Sequence, residues 1–176
     1  TYGLTSTGSR HTDRGRSVQQ TSDGGYIICC MRKSYGAGDF DAWLIKTDSF
    51  GDTLWTKTFD GIGHDYGHSV QQTNDGGYII VGIIGESLLF VDPDVWLIKT
   101  DSSGDTLWTK TFGGPGNDLS STIQQTNDGG YIIAASTNSL GAGNYDAWLI
   151  RTDADGDTIW TRTYGGTDTD HASDVK

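Results

Sequence analysis

The chain has 176 residues, a net charge of −11, and 26 Gly against only 2 Pro. Its acids are Asp throughout except for Glu86; Asp and Gly favour turns where Glu favours helices, so long amphipathic helices are excluded. A chain this acidic disfavours binding nucleic acid through a broad basic face, and no apolar run approaches the roughly 18 residues of a membrane helix.

The chain opens at Thr1 without Met and without a leader-like apolar stretch. This reads as a processed chain or a piece of a longer one. Residues 1–35 carry Arg10, Arg14, Arg16, Arg32 and Lys33 against Asp13 and Asp23, a net of +3, which leaves −14 on the remainder.

The first predicted element is a short strand ending in Val18-Gln19-Gln20-Thr21. Ser22-Asp23-Gly24-Gly25 then makes a tight turn whose Gly can take a positive φ. Tyr26-Ile27-Ile28 opens a second strand, which also carries the only cysteines, Cys29 and Cys30. Neighbouring strand residues point to opposite faces, so these two read as small core residues rather than as a disulfide. A loop containing Gly36-Ala37-Gly38 leads to a third strand, Asp41-Ala42-Trp43-Leu44-Ile45-Lys46-Thr47. A turn over Asp48–Asp52 leads to a fourth, Thr53-Leu54-Trp55-Thr56-Lys57-Thr58-Phe59.

The whole pattern then recurs. Val18–Ile28 returns as Val70–Ile80 and as Ile123–Ile133, at offsets of 52 and 53 residues. Asp41–Asp48 returns at Asp94–Asp101 and Asp146–Asp153, and Gly51–Phe59 at Gly104–Phe112 and Gly156–Tyr164. Four antiparallel strands at a period near 50 are the arithmetic of a β-propeller blade. The reading is all-β, one propeller unit over 1–176, with three complete blades at about 16–59, 68–112 and 121–164. The apolar runs Tyr-Ile-Ile and Trp-Leu-Ile fit strands covered on both faces. The six Trp recur at two places per copy: Trp43, Trp96 and Trp148 on the third strand, Trp55, Trp108 and Trp160 on the fourth. Packing between blades is their expected role, with ligand stacking as the alternative.

These blocks, Asp-Gly-Gly-Tyr-Ile-Ile, Asp-x-Trp-Leu-Ile-Lys-Thr-Asp and Gly-Asp-Thr-Leu-Trp-Thr-Lys-Thr-Phe-Gly-Gly, resemble the repeats of secreted or surface-attached β-propeller proteins of bacteria and archaea. The resemblance covers nearly the whole chain and implies an extracellular or cell-surface location. The hairpin of the third and fourth strands also resembles the tryptophan-docking motif of quinoprotein-type propellers, where an Asp, a turn Gly and a Trp link successive blades. Asp48, Gly51 and Trp55 match that logic. The quinone- and metal-binding residues of those enzymes have no counterpart here, so their activity is not carried over.

Both ends carry remnants of further copies. Thr1-Tyr2-Gly3 matches Thr163-Tyr164-Gly165, and Asp170 matches Asp13, Asp65 and Asp118, each five residues before the first strand hydrophobe. Three blades cannot close a ring, since propellers use about four to eight. The remaining blades come from a longer chain or from other copies, either in a closed pair or in an open filament. A basic end (Arg10, Arg14, Arg16) meeting an acidic one (Asp168, Asp170, Asp174) favours head-to-tail contact. The segment holding Leu88, Leu89 and Phe90 is apolar where the other copies are polar. It is a candidate partner surface or a loop folded over its own blade.

The chemistry is sparse. Asp153, Asp155 and Asp157 sit at i, i+2 and i+4, a spacing that can wrap oxygens around calcium or else cap a hairpin turn. The recurring Asp13, Asp65, Asp118 and Asp170 read as acceptors for loop N–H groups, and Asp41, Asp94 and Asp146 likewise. His64 and His68 offer no third ligand for zinc. No nucleophilic triad or phosphate-cradling motif stands out. The expectation is a non-enzymatic structural or interaction module, with no cofactor beyond the calcium candidate. A glycan-binding propeller and part of a propeller enzyme are the alternatives.

Overall fold

The computed structural model describes residues 13–33, 40–61, 63–86 and 92–176. The described residues contain twelve strands, in three four-stranded antiparallel sheets, and no helix. The first sheet holds β1 (Arg14–Gln20), β2 (Tyr26–Lys33), β3 (Phe40–Thr47) and β4 (Thr53–Phe59). The second holds β5 (His64–Gln72), β6 (Tyr78–Glu86), β7 (Asp94–Thr100) and β8 (Thr106–Phe112). The third holds β9 (Asp118–Gln125), β10 (Tyr131–Thr137), β11 (Asp146–Thr152) and β12 (Thr158–Tyr164). In each sheet the strands lie in chain order, and the sheets do not close into a barrel.

The register is the same in all three. Val18 faces Ile28, Val70 faces Ile80 and Ile123 faces Ile133. β5 and β9 start at His64 and Asp118, upstream of the positions expected near 68 and 121. Register shifts at Gly67/Ser69 and opposite Ala134/Ala135 absorb an extra residue, so pairing resumes beyond them.

The tight turns between first and second strands are built alike. In the second sheet, Asp75 Oδ1 accepts from Thr73 Oγ1 at 2.5 Å and from the Gly77 N–H at 3.0 Å. Gly76 takes φ +83° there, a conformation that costs glycine little and other residues more. The same Thr-Asp-Gly contacts recur at Thr21–Gly25 and Thr126–Gly130.

Side-chain alternation divides each sheet into two apolar faces, and the faces stack. One core joins Ile27, Cys29, Ala42, Leu44 and Phe59 of the first sheet to Val70, Tyr78, Ile80, Trp96 and Ile98 of the second. The other joins Ile79, Val81, Val95 and Leu97 of the second to Ile123, Tyr131, Ile133, Ala135, Trp148 and Ile150 of the third. The middle sheet is thus covered on both sides, which is why its strands are continuous apolar runs.

Candidate functional site

The junction between consecutive sheets is the most heavily built feature of the molecule, and it occurs twice with the same parts. Trp55 of β4 meets Tyr78 of β6 edge-on, with ring centroids 5.8 Å apart. Trp108 of β8 meets Tyr131 of β10 in the same way, at 6.1 Å. The far side of each indole lies against a turn glycine of the next sheet. A Cβ added to Gly104 would sit 2.8 Å from Trp55, and one added to Gly156 would sit 2.8 Å from Trp108. The residue after each glycine, in the same turn, takes an ion pair: Lys57 Nζ reaches Asp105 at 2.6 Å and Lys110 Nζ reaches Asp157 at 2.6 Å. Docking therefore runs from the Trp and Lys of one sheet to the Gly and Asp of the next.

The first strands are linked by glutamines. Gln72 donates its backbone N–H to Gln19 Oε1 at 2.6 Å, and Gln125 donates its own to Gln71 Oε1 at 2.6 Å. In return, Gln72 Oε1 accepts from the Ser22 N–H at 2.8 Å and Gln125 Oε1 from the Asn74 N–H at 2.9 Å. Sequence reading passed over this device. The signal was present: two adjacent polar residues kept at the same place in three copies of a mostly apolar sheet.

A buried cation under each tight turn was also passed over. Lys46 Nζ, with its side chain 4% exposed, donates to Asp23 Oδ2 at 2.7 Å and to the Thr47 carbonyl at 2.8 Å. Lys99 does the same with Asp75 and Thr100, and Arg151 with Asp128 and Thr152. The Lys46 ammonium, with the Thr21 hydroxyl and Gly25 N–H, holds the Asp23 carboxyl well below its usual range. For Asp75, burial pulls upward, but Lys99, Thr73 and Gly77 outweigh it and hold the group at about 2.

The outer faces of the first and third sheets carry the same residues as the buried faces. On the first sheet, Val18 is 64% exposed, whereas its counterparts Val70 and Ile123 are 4% and 5% exposed. Tyr26 is 37% exposed, against 2% and 1% for Tyr78 and Tyr131. On the third sheet, Tyr164 is exposed where Phe59 is buried, and Trp160 is exposed where Trp55 and Trp108 pack into cores.

The remaining expected residues fall as follows. Trp96 and Trp148 lie in the two cores, and half-buried Trp43 carries the Arg32 guanidinium 5.3 Å from its ring centre. Arg14 and Arg16 are exposed on β1; Arg10, Leu88, Leu89 and Phe90 lie outside the described residues. Asp168 is exposed, and exposed Asp174 pairs with Lys176 at 3.3 Å. The segment around Asp170 follows the third sheet as β9 follows the second: the Asp170 N–H donates to the Tyr145 carbonyl at 2.7 Å, as that of Asp118 does to Pro93. Asp153 spends Oδ1 on the N–H groups of Asp155 and Asp157, at 3.0 and 2.8 Å, while Asp157 holds Lys110. The turn is therefore self-capped. Among the described residues, the acids whose oxygens gather within 4.8 Å of one another as a group of three are Asp41, Asp60 and Asp65. A cleft of about 280 Å³ is lined by Arg16, His68, Ser120 and Ser121. There His68 Nδ1 donates to the Ser120 carbonyl at 2.8 Å.

Comparison with protein-family models and with curated proteins finds no match to this chain.

Proposed function

We propose that this chain is a non-enzymatic structural or interaction module made of β-propeller blades, and that it assembles head to tail with a second copy of itself. The observation that carries this reading is the pair of outer faces. Each presents one half of a junction that the chain already buries twice, and the halves are complementary. Stacked head to tail, Trp160 of one copy lies over Tyr26 of the next, and Arg162 meets Asp52 as Lys57 and Lys110 meet Asp105 and Asp157. Gln124 stands where Gln19 and Gln71 stand, to accept from the Gln20 N–H. The contact is heterologous, so it closes into a ring if the rotation allows and otherwise runs on as a filament. Six blades from two copies fall within the range of known propellers. The resemblance of the repeats to surface propellers supports an extracellular setting.

Light scattering after size exclusion, together with electron microscopy, tests the reading. Particles of two or more copies with blade-like substructure are expected, and Val18→Asp should dissociate them. A monomer of 19.0 kDa at high protein concentration overturns self-assembly. A native polypeptide carrying further repeats would move the same contact inside one chain.

A further inference from the structure

The first strand of each sheet steps over one residue in its pairing. The ladder passes from Gly15 to Ser17, from Gly67 to Ser69 and from Ser120 to Thr122, so the extra residues are Arg16, His68 and Ser121. A bulge of this kind bends its strand and re-aims the extra side chain. The residues that follow hardly change between copies. Ser17-Val18-Gln19-Gln20-Thr21 is repeated at Ser69–Thr73, and Thr122-Ile123-Gln124-Gln125-Thr126 keeps the same pattern. The bulged residue does change, from Arg to His to Ser. A position needed for folding alone would repeat as its neighbours do.

The three bulges open on one cleft. Arg16, His68, Ser120 and Ser121 line it, and its volume is about 280 Å³. Ser120 is the most buried of the four, at 6% exposure. His68 is held in place: Nδ1 donates to the Ser120 carbonyl at 2.8 Å and lies 3.0 Å from Ser120 Oγ. The Tyr66 ring stacks parallel to the imidazole, with centroids 6.5 Å apart. Arg16 is exposed. Its Nη2 donates to Met31 Sδ at 3.8 Å, a weak acceptor, which leaves the guanidinium fork for a stronger one. Ser121 Oγ spends its proton on the Ala172 carbonyl at 2.6 Å, so toward the cleft this hydroxyl can only accept.

We infer that this cleft binds a small hydroxylated carboxylate of the sugar-acid class. One guanidinium matches one carboxylate, planar and bidentate. A phosphate group would bring close to two negative charges to a single arginine, in a chain already at −11. The Ser121 lone pairs call for a donor, which a ligand hydroxyl supplies and a bare carboxylate does not. The volume lies just under the roughly 300–1,000 Å³ of pockets for drug-sized ligands, which suits a single sugar ring. All four lining residues come from one chain, so binding requires no second copy.

The test is calorimetric titration of the full chain with sodium glucuronate and sodium galacturonate at fixed ionic strength, backed by saturation-transfer NMR of the ligand. Glucose and sodium phosphate serve as comparison ligands. Saturable binding of at least one sugar acid is expected, with glucose and phosphate at least tenfold weaker. Arg16→Gln should raise Kd about tenfold or more, the loss of a charge-assisted pair. His68→Ser installs the residue that the third sheet carries at its own bulge; it should fold and bind several-fold more weakly. Arg14→Gln, on the same strand but outside the cleft, should change Kd less than about twofold. The proposal is overturned if neither sugar acid gives heat or saturation transfer up to about 10 mM, ten times a millimolar Kd. Phosphate or glucose bound as tightly as the sugar acids overturns it too. So does an Arg16→Gln variant, shown folded by circular dichroism, that binds like wild type or loses no more than Arg14→Gln.

Discussion

Gln72 sits astride the first junction: its backbone N–H donates to Gln19 Oε1 at 2.6 Å, and its own Oε1 accepts from Ser22 at 2.8 Å. One residue thus holds two sheets by both ends of its amide chemistry. Gln125 repeats the arrangement with Gln71 and Asn74. Removing the acceptor leaves a half-buried N–H without its partner, a loss of about 1–2 kcal/mol. Gln71→Ala should therefore lower the urea midpoint, while Gln124→Ala, at the outer face, should leave monomer stability within about 0.5 kcal/mol of wild type.

The tryptophans separate in the same way. Trp108 packs between Tyr131 and Gly156, so Trp108→Ala removes a large apolar surface and opens a cavity, at a cost of about 3 kcal/mol. Trp160 is 37% exposed, so Trp160→Ala should cost the monomer under about 1 kcal/mol and act chiefly on assembly. Denaturation curves read the first effect, and the assembly midpoint against concentration reads the second.

Charge pairing offers a direct probe of the head-to-tail contact. Lys57–Asp105 and Lys110–Asp157 are each 2.6 Å apart, and Arg162 and Asp52 occupy the corresponding outer positions. Arg162→Asp should weaken assembly, Asp52→Arg likewise, and the exchanged pair should restore it. Sedimentation velocity at low and moderate salt checks this; failure of the double variant to recover argues against the pairing.

The pairs beneath the tight turns make stability fall in acid. Asp75 is depressed from 3.8 to about 2 by Lys99, Thr73 and Gly77 against the pull of burial, and Asp23 is depressed too. A depressed carboxyl contributes stability that is fully present above its unfolded pKa and is lost as pH falls through its folded one. The loss should therefore run from about pH 4 down through about 2. The carboxylates are 57% and 60% exposed, so each pair contributes under about 1 kcal/mol. Thermal midpoints of Asp75→Asn should be flatter across that window than those of wild type.

Cys29 and Cys30 are free and buried on opposite faces of β2. Burial pushes both thiols up, that of Cys30 to about 11, so little thiolate exists near neutral pH. A thiol-reactive dye should label neither in native buffer and both in guanidinium.

Much of this architecture is legible in one dimension. A strand's side chains alternate, so Ile27 and Ile28 had to face opposite ways, and both being apolar meant that both faces were to be covered. The turn residues Asp75 and Gly76 announced their geometry because few other residues suit it. Lys46 was harder. On an apolar strand it reads as an exposed interruption, and only the folding of the tight turn over the end of the strand brings Asp23 to it. Gln19 and Gln72 are neutral and 53 residues apart, with nothing local to mark them as partners.

The repeat, the strands, the turns and the two-faced apolar pattern were determined by sequence alone, because they rest on contacts within a few residues and on a period of two. The tertiary structure decided which faces are covered and which are open, and which glycine each tryptophan meets, Gly104 for Trp55 and Gly156 for Trp108. It also brought together, across the junctions, acids that accept loop N–H groups as the sequence reading expects. Asp94 and Asp118 are 24 residues apart in the chain, and no local rule makes them share a space. Stacking one sheet on another does.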